Sequence, residues 1–276
     1  MKFNKERGQA LLIVVLIMVV ALTVGLSLGS RTIINIRTSS EEADSQKALV
    51  AAEAGIEQAL RATTSTTIKE EFIENKTVYN AVVEEVKGTS FLANGGNLVL
   101  QDDGIDVWLV KHDADGKPDY STSWGDNKKL NIYWGDPALD DCDNAAIEVA
   151  VISGTQAAPV LKRYAYDPCG SRKGANNFSN VPGAEPDPVE GKIFKYKVQI
   201  DIDDGLVARV VPIYASTAIA VYGNGTALPT QGFNIDSTGT SGALDREVKR
   251  SLTFFRAYDQ LPTQYFMYGL FSPEQL

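Results

Sequence analysis

The sequence predicts an α+β protein: a long N-terminal helix, transmembrane in its first half and a stalk in its second, packed on a mainly antiparallel β domain. Three observations lead there. No charged side chain occurs between Arg7 and Arg31. Apolar residues then recur at three- and four-residue steps through Leu49, Ala52, Ile56 and Ala59 or Leu60, the period of a helix face. Beyond Lys87 the pattern changes to short strand-like runs bounded by Gly, Asp, Asn and Pro.

Residues 10–28 form an apolar run. A hydrocarbon core of roughly 30 Å needs about 20 helical residues, so the run has the length of a span. Thr23, Gly25, Ser27 and Gly29 soften its distal end, where hydroxyls can bond back to the helix and glycines are tolerated. Gly25 and Gly29 have small-xxx-small spacing, which occurs in packed helices and also by chance in apolar ones. Lys2, Lys5 and Arg7 outweigh Glu6, so the positive-inside rule keeps the short N-terminus cytoplasmic and places the bulk of the chain outside the cytoplasm. A cleaved secretory signal has a shorter apolar region and an Ala-x-Ala-like site; Gly25-Leu26-Ser27 and Ser27-Leu28-Gly29 do not end in alanine. An uncleaved signal anchor shares every one of these features and stays open.

No Gly/Pro linker follows Arg31, so the simplest reading is one continuous helix over residues 10–62, roughly 75 Å long. Glu41, Glu42, Asp44, Lys47, Glu53 and Glu57 then lie on a solvated face, and Leu49, Ala52, Ile56 and Leu60 beneath a globular domain. An ordinary juxtamembrane helix is the plain alternative.

Strand candidates follow at 97–101, 105–111, 130–134, 147–152, 160–166, 193–202, 206–213, 218–222 and 248–258. Residues 195–202 alternate polar with apolar before Asp203-Asp204-Gly205, a hairpin signature leading into 206–213. Residues 78–86 fit helix and strand equally. Surface excursions are expected at 113–128, 169–190 and 224–242. With 276 residues the chain has room for the helix and one domain of about 200 residues, or two small ones.

The formal charge of −9 argues against nucleic acid as a partner, because phosphate binding needs a basic face. Arg246, Lys249, Arg250 and Arg256 are the one basic cluster, read as the wet side of a strand. In an exported domain, Cys142 and Cys169, the two cysteines, suggest a disulfide. Metal ligation by the pair lacks partners, since His112 is the single histidine. Asp113, Asp115 and Asp119 in Asp-Ala-Asp-Gly-Lys-Pro-Asp could gather carboxylates around calcium, yet the run lacks the third early ligand and closing glutamate of an EF-hand. A polar turn is the other reading. No nucleophile motif, phosphate loop or dinucleotide fingerprint is present, so the chain is read as a non-enzyme without an organic cofactor. Carboxylates are plentiful enough that a pair of the glycosidase kind stays open, since proximity is not read from sequence.

Arg7-Gly8 before the apolar helix, Gln9-Ala10-Leu11-Leu12 directly following that pair in sequence as the helix opens, and Ala51-Ala52-Glu53-Ala54-Gly55-Ile56-Glu57 about forty residues on resemble the N-terminal region of type IV minor pilins. The likeness is strongest to PilX-type minor pilins and weaker to the K-type pseudopilin of type II secretion, and it fades after the first sixty or so residues. It implies a pilin-like fold divided into a leader (1–8), a transmembrane half-helix (9–30), a periplasmic or extracellular stalk and connector (31–87) and a β-rich globular domain (88–276). It also implies cleavage by prepilin peptidase after Gly8, methylation of Gln9, and a cell-surface filament as destination. The implied partners are other pilin subunits through the N-terminal helix and the inner-membrane assembly platform. Loss of residues 1–8, which contribute +2, leaves a charge of −11.

Two departures qualify the likeness. Major pilins begin with phenylalanine where this chain has Gln9, and carry glutamate at the fifth mature residue, here Ile13. A carboxylate inside hydrocarbon is expensive without a partner. Its replacement by Ile13 points to a minor, tip or initiation role; family members that tolerate an apolar residue there without positional meaning are the alternative. Tyr265, Phe266, Tyr268 and Phe271 form an aromatic cluster that either docks a partner or packs on the domain. Within it Tyr268-Gly269-Leu270-Phe271-Ser272 is similar to late segments of PilX-like chains.

Overall fold

The computed structural model describes residues 7–182, 186–242 and 246–260, with side chains from Leu11 onward. The aromatic cluster at Tyr265–Phe271 and the basic residues Lys2 and Lys5 lie outside the described residues. The protein is α+β. Helix α1 (Arg7–Ala59) leads into β1 (Thr66–Phe72), β2 (Thr77–Gly88), β3 (Ser90–Leu92), β4 (Ile105–Trp108), β5 (Lys111–His112) and β6 (Pro118–Asp119). Then come β7 (Lys128–Trp134), β8 (Ala146–Thr155), β9 (Ala158–Asp167), α2 (Gly170–Asn176), β10 (Ser179–Asn180), β11 (Asp187–Val189) and β12 (Lys192–Phe194). The last strands are β13 (Tyr196–Ile202), β14 (Gly205–Ile213), β15 (Ile219–Tyr222), β16 (Leu228–Ser241) and β17 (Val248–Ala257). The described residues form two compact units, the first within Met1–Gly55, Lys69–Ala81 and Ser237–Leu252 and the second within Ile56–Ile68, Val82–Asp236 and Thr253–Leu276.

In the first unit α1 rests on strands of a sheet ordered β1-β2-β16-β17. The contact stripe is Ala48, Ala51, Ala52 and Gly55, all buried, while Leu49 stays 38% exposed. The expected stripe of larger residues is therefore displaced, because the helix backbone approaches too closely for them. A Cβ on Gly239 of β16 would lie 1.9 Å from the Ala48 carbonyl oxygen, and one on Gly55 would lie 2.2 Å from Ser237 Oγ. Tyr79 of β2 is buried beside Gly55 and donates to Glu70 Oε2 at 2.7 Å. Burial and the Glu70 carboxylate push its phenol up to about 12. Gly239→Val is expected to cost about 3 kcal/mol or more, since even the first added atom meets main chain that cannot yield without moving the helix. Protease cleavage within residues 37–55 should accelerate in that variant and not in Thr240→Val.

The second unit is a sandwich of two sheets. One runs β10-β9-β8-β14-β4 and the other β13-β7-β15-β3. Ile147, Val149 and Val151 of β8 and Val210 of β14 share a core with Leu130, Ile132 and Trp134 of β7 and Val198, Ile200 and Ile202 of β13. The alternation on β13 places every second residue inside, as two half-buried faces require. Trp134, fully buried, satisfies its indole N–H on the Ala145 carbonyl at 2.9 Å.

Four expectations change. The helical stretch ends at Ala59, and strands begin at Thr66 rather than beyond Lys87. Residues 78–86 are strand, with the alternating burial of β2. Asp203-Asp204-Gly205 does not close a hairpin: β13 pairs with β7, whereas β14 lies between β8 and β4, so the turn is a corner between sheets. Asp204 there has φ 47°, and a Cβ on Gly205 would meet Ile202 at 2.4 Å and Leu109 at 2.7 Å. Finally, 224–242 is not a surface excursion; most of it is β16, with Ile235, Ser237, Gly239 and Ser241 buried. Smaller differences are that 97–101 contributes a single bridge, Val99 to Thr217, that 193–202 splits into β12 and β13, and that 169–190 carries α2, β10 and β11.

Candidate functional site

The most unusual surface is the first half of α1. Every residue from 11 to 36 is exposed, including Leu11 at 70%, Met18 at 69% and Ile33 at 69%. Fully burying one such side chain is worth roughly 1.5–3 kcal/mol, so a cylinder of them favours an apolar surrounding over water. Among the described residues it is the one helix long and apolar enough to cross a membrane. Both threonine hydroxyls of residues 11–36 are satisfied internally: Thr23 Oγ1 donates to the Val20 carbonyl at 2.8 Å and Thr32 Oγ1 to that of Leu28 at 3.0 Å. Gly25 and Gly29 face open space, where an added Cβ would touch nothing within 4 Å, so the protein's own packing does not demand their size. Ile13 lies on this surface, 54% exposed. Gly8 and Gln9 fall in the first turn of α1.

Charge returns at Arg31, and Arg37 pairs with Glu41 one turn on at 3.5 Å. The last turn of α1 holds no basic residue. Arg256 of β17 supplies one, donating to the carbonyls of Leu60 and Ala62, the latter at 2.6 Å, while its guanidinium covers the Phe233 ring at 4.6 Å. Arg250 donates to Ser45 Oγ at 2.8 Å, and Lys249 pairs with Glu247. The basic cluster read from sequence is thus divided among structural contacts.

In the acidic run, two of the three carboxylates are engaged by the loop itself. Asp113 Oδ1 accepts from the amides of Asp115 and Lys117, both at 2.9 Å, closing the turn between β5 and β6. Asp119 instead accepts from the amide and hydroxyl of Ser121, hydrogen bonds that hold its carboxyl below the ordinary range. Among the described residues no three His, Cys, Asp or Glu side chains converge as metal ligands. Asp113 and Asp119 thus serve as turn residues, and Asp115 stands beside Lys117 at 3.9 Å.

His112 lies flat on Tyr258, ring centroids 3.6 Å apart, with its edge toward Trp108. Burial lowers its pKa from 6.5 to about 4 despite the nearby Asp113. The unfolded chain therefore binds the extra proton first: the stability that neutral His112 supports is present above pH 6.5 and declines as pH falls toward 4. In acid titrations of the melting temperature, His112→Phe should flatten this part of the curve.

Cys142 and Cys169 are joined as a disulfide. Around it, Asp167 is fully buried and accepts from the Cys169 amide, from Arg172 and from Asn176. Burial raises its pKa, but these donors, Arg172 foremost, outweigh burial and leave the carboxyl below its usual range. Arg172 also donates to the carbonyls of Cys142 and Asn144, tying both arms of the bridge. This hub was not visible in sequence, where Asp167 and Arg172 are ordinary charged residues.

No protein-family model matches the chain, and no curated protein matches it. A crystal structure from Francisella tularensis str. tularensis SCHU S4 aligns at 10% identity over 71% of this chain and 94% of that one, with a TM-score of 0.09. A score that low carries no argument.

Proposed function

We propose that this chain is a minor subunit of a type IV pilus or related filament, acting at the tip or in initiation, and processed by prepilin peptidase after Gly8. The observation that carries the reading is the continuity of α1. Its 53 residues, about 80 Å, run unbroken from a fully exposed apolar half into a half seated on a sheet through Ala48, Ala52 and Gly55. A simple anchor needs about 20 apolar residues and gains nothing from rigid continuity with its domain; an assembly helix does, because it fixes the domain relative to neighbouring helices. Before assembly the apolar half lies in the inner membrane with the N-terminus cytoplasmic, and in the filament the helices of other subunits replace lipid. The disulfide fits a domain that folds outside the cytoplasm.

Ile13 supports the position at one end. An aliphatic side chain there neither needs nor offers the ion pair that a buried carboxylate would require. Immunogold labelling of sheared filaments is expected to mark one end. Label spread along the shaft contradicts the tip assignment, and retention of the whole pool in the membrane favours an uncleaved, signal-anchored binding or adhesion protein.

A further inference from the structure

We propose that a cavity in the second unit binds a neutral saccharide. The cavity, about 320 Å³, is walled by Phe91, Trp108, Phe255 and Tyr258 and lies at the lower end of the size of small-ligand sites, roughly 300–1,000 Å³. The proposal is independent of the filament reading.

Its floor is preorganised. Gln231 Oε1 accepts from the Trp108 amide at 2.9 Å, and Gln231 Nε2 donates to the carbonyls of Trp108 at 2.8 Å and Pro229 at 2.7 Å. The Asp106 carboxylate is held by Arg209 at 3.2 Å. These groups are spent on the fold and do not reach for a ligand, but they fix the Trp108 backbone. The Tyr258 ring is fixed in turn by the parallel stack on His112, 3.6 Å between centroids.

The rim carries the groups that remain. Asn94, Asp103 and Gln260 are exposed at the mouth; Asn94 Nδ2 donates to the Leu98 carbonyl at 3.4 Å, which leaves its oxygen, and only one oxygen of Asp103 is engaged, by the Gly104 amide at 2.8 Å, among the described contacts. Planar amides and a carboxylate suit paired hydroxyls, accepting and donating at fixed separations. The half-buried rings of Phe255 and Tyr258 suit the apolar C–H face of a sugar ring, with Phe91 and Trp108, 5% and 4% exposed, packed behind them. No Lys, Arg or His occurs among the described lining residues, so an anionic ligand meets no cation there. A wholly apolar ligand would strip water from Asp103 without replacing its hydrogen bonds. A neutral polyhydroxylated ring answers both constraints.

The test uses the full chain in a detergent without a sugar headgroup. It is titrated with glucose, galactose, N-acetylglucosamine and their β-linked disaccharides, read by tryptophan fluorescence and calorimetry. At least one should bind, and Asp103→Ala and Phe255→Leu should each weaken it by about tenfold or more while melting near the parent. If Phe255→Leu unfolds, Asp103→Ala decides alone. Silence from every sugar, equal affinity in a folded Asp103→Ala chain, or preference for a uronic acid or sialic acid overturns the proposal.

Discussion

Replacing Asp106 with alanine should destabilise the second unit by about 3–5 kcal/mol, two to three and a half powers of ten in its folding equilibrium. Asp106 and Arg209 are register partners on β4 and β14, and each side chain is 1% exposed. The guanidinium contacts both carboxylate oxygens, at 3.2 and 3.3 Å. Gly104 leaves room for it: a Cβ there would lie 2.7 Å from Arg209 Nε. Such a pair need not stabilise relative to an apolar one, because both charges lost their water on folding. Removing one partner is different, for it leaves a buried guanidinium without its neutralising carboxylate. Denaturant midpoints should drop sharply for Asp106→Ala, and the double replacement Asp106→Leu with Arg209→Met should recover most of the loss. Equal instability of the double variant would place the effect in packing rather than charge.

Loss of the Cys142–Cys169 bridge is the second large effect. The bridge closes a loop with a sequence separation of 27, for which the chain-entropy model gives about 3.5 kcal/mol. Cys169 is 1% exposed and its amide binds Asp167, so its position is held by the hub as well as by the bond. Cys142→Ser with Cys169→Ser should therefore melt earlier yet keep the α2 turn, because Arg172 still ties Asp167 to the carbonyls of Cys142 and Asn144. Reductant should lower the melting temperature of the parent to that of the double variant and leave the variant unchanged. A reductant-insensitive parent contradicts the bond.

Much of the fold was legible because periodicity reports burial directly. The long helix and most sandwich strands carried their period in apolar residues, as in Ile147, Val149 and Val151. What was missed is instructive. β16 reads as loop because its inward positions Ser237, Gly239 and Ser241 are small or polar, yet Gly239 is inside because the α1 backbone at Ala48 and Ala52 leaves no room for a side chain, and Ser237 faces Gly55. The same close approach explains why the buried helix stripe is Ala48, Ala51, Ala52 and Gly55 rather than one containing Leu49. The corner at Gly205 has the local chemistry of a hairpin turn, and only the pairing of β13 and β14 with other strands distinguishes the two. Of the candidate site, the apolar surface around Ile13 was plain in sequence because it depends on one continuous element. The Asp167–Arg172 hub and the Arg256 cap join residues distant in sequence and left no local pattern to read.

The most direct test of the assembly reading is the N-terminus of the protein extracted from membranes that contain prepilin peptidase. Mass measurement of the N-terminal peptide should find a chain beginning at Gln9, methylated on its amino group, and Gly8→Val should block its formation. A chain beginning intact at Met1 would contradict processing and leave α1 as a signal anchor.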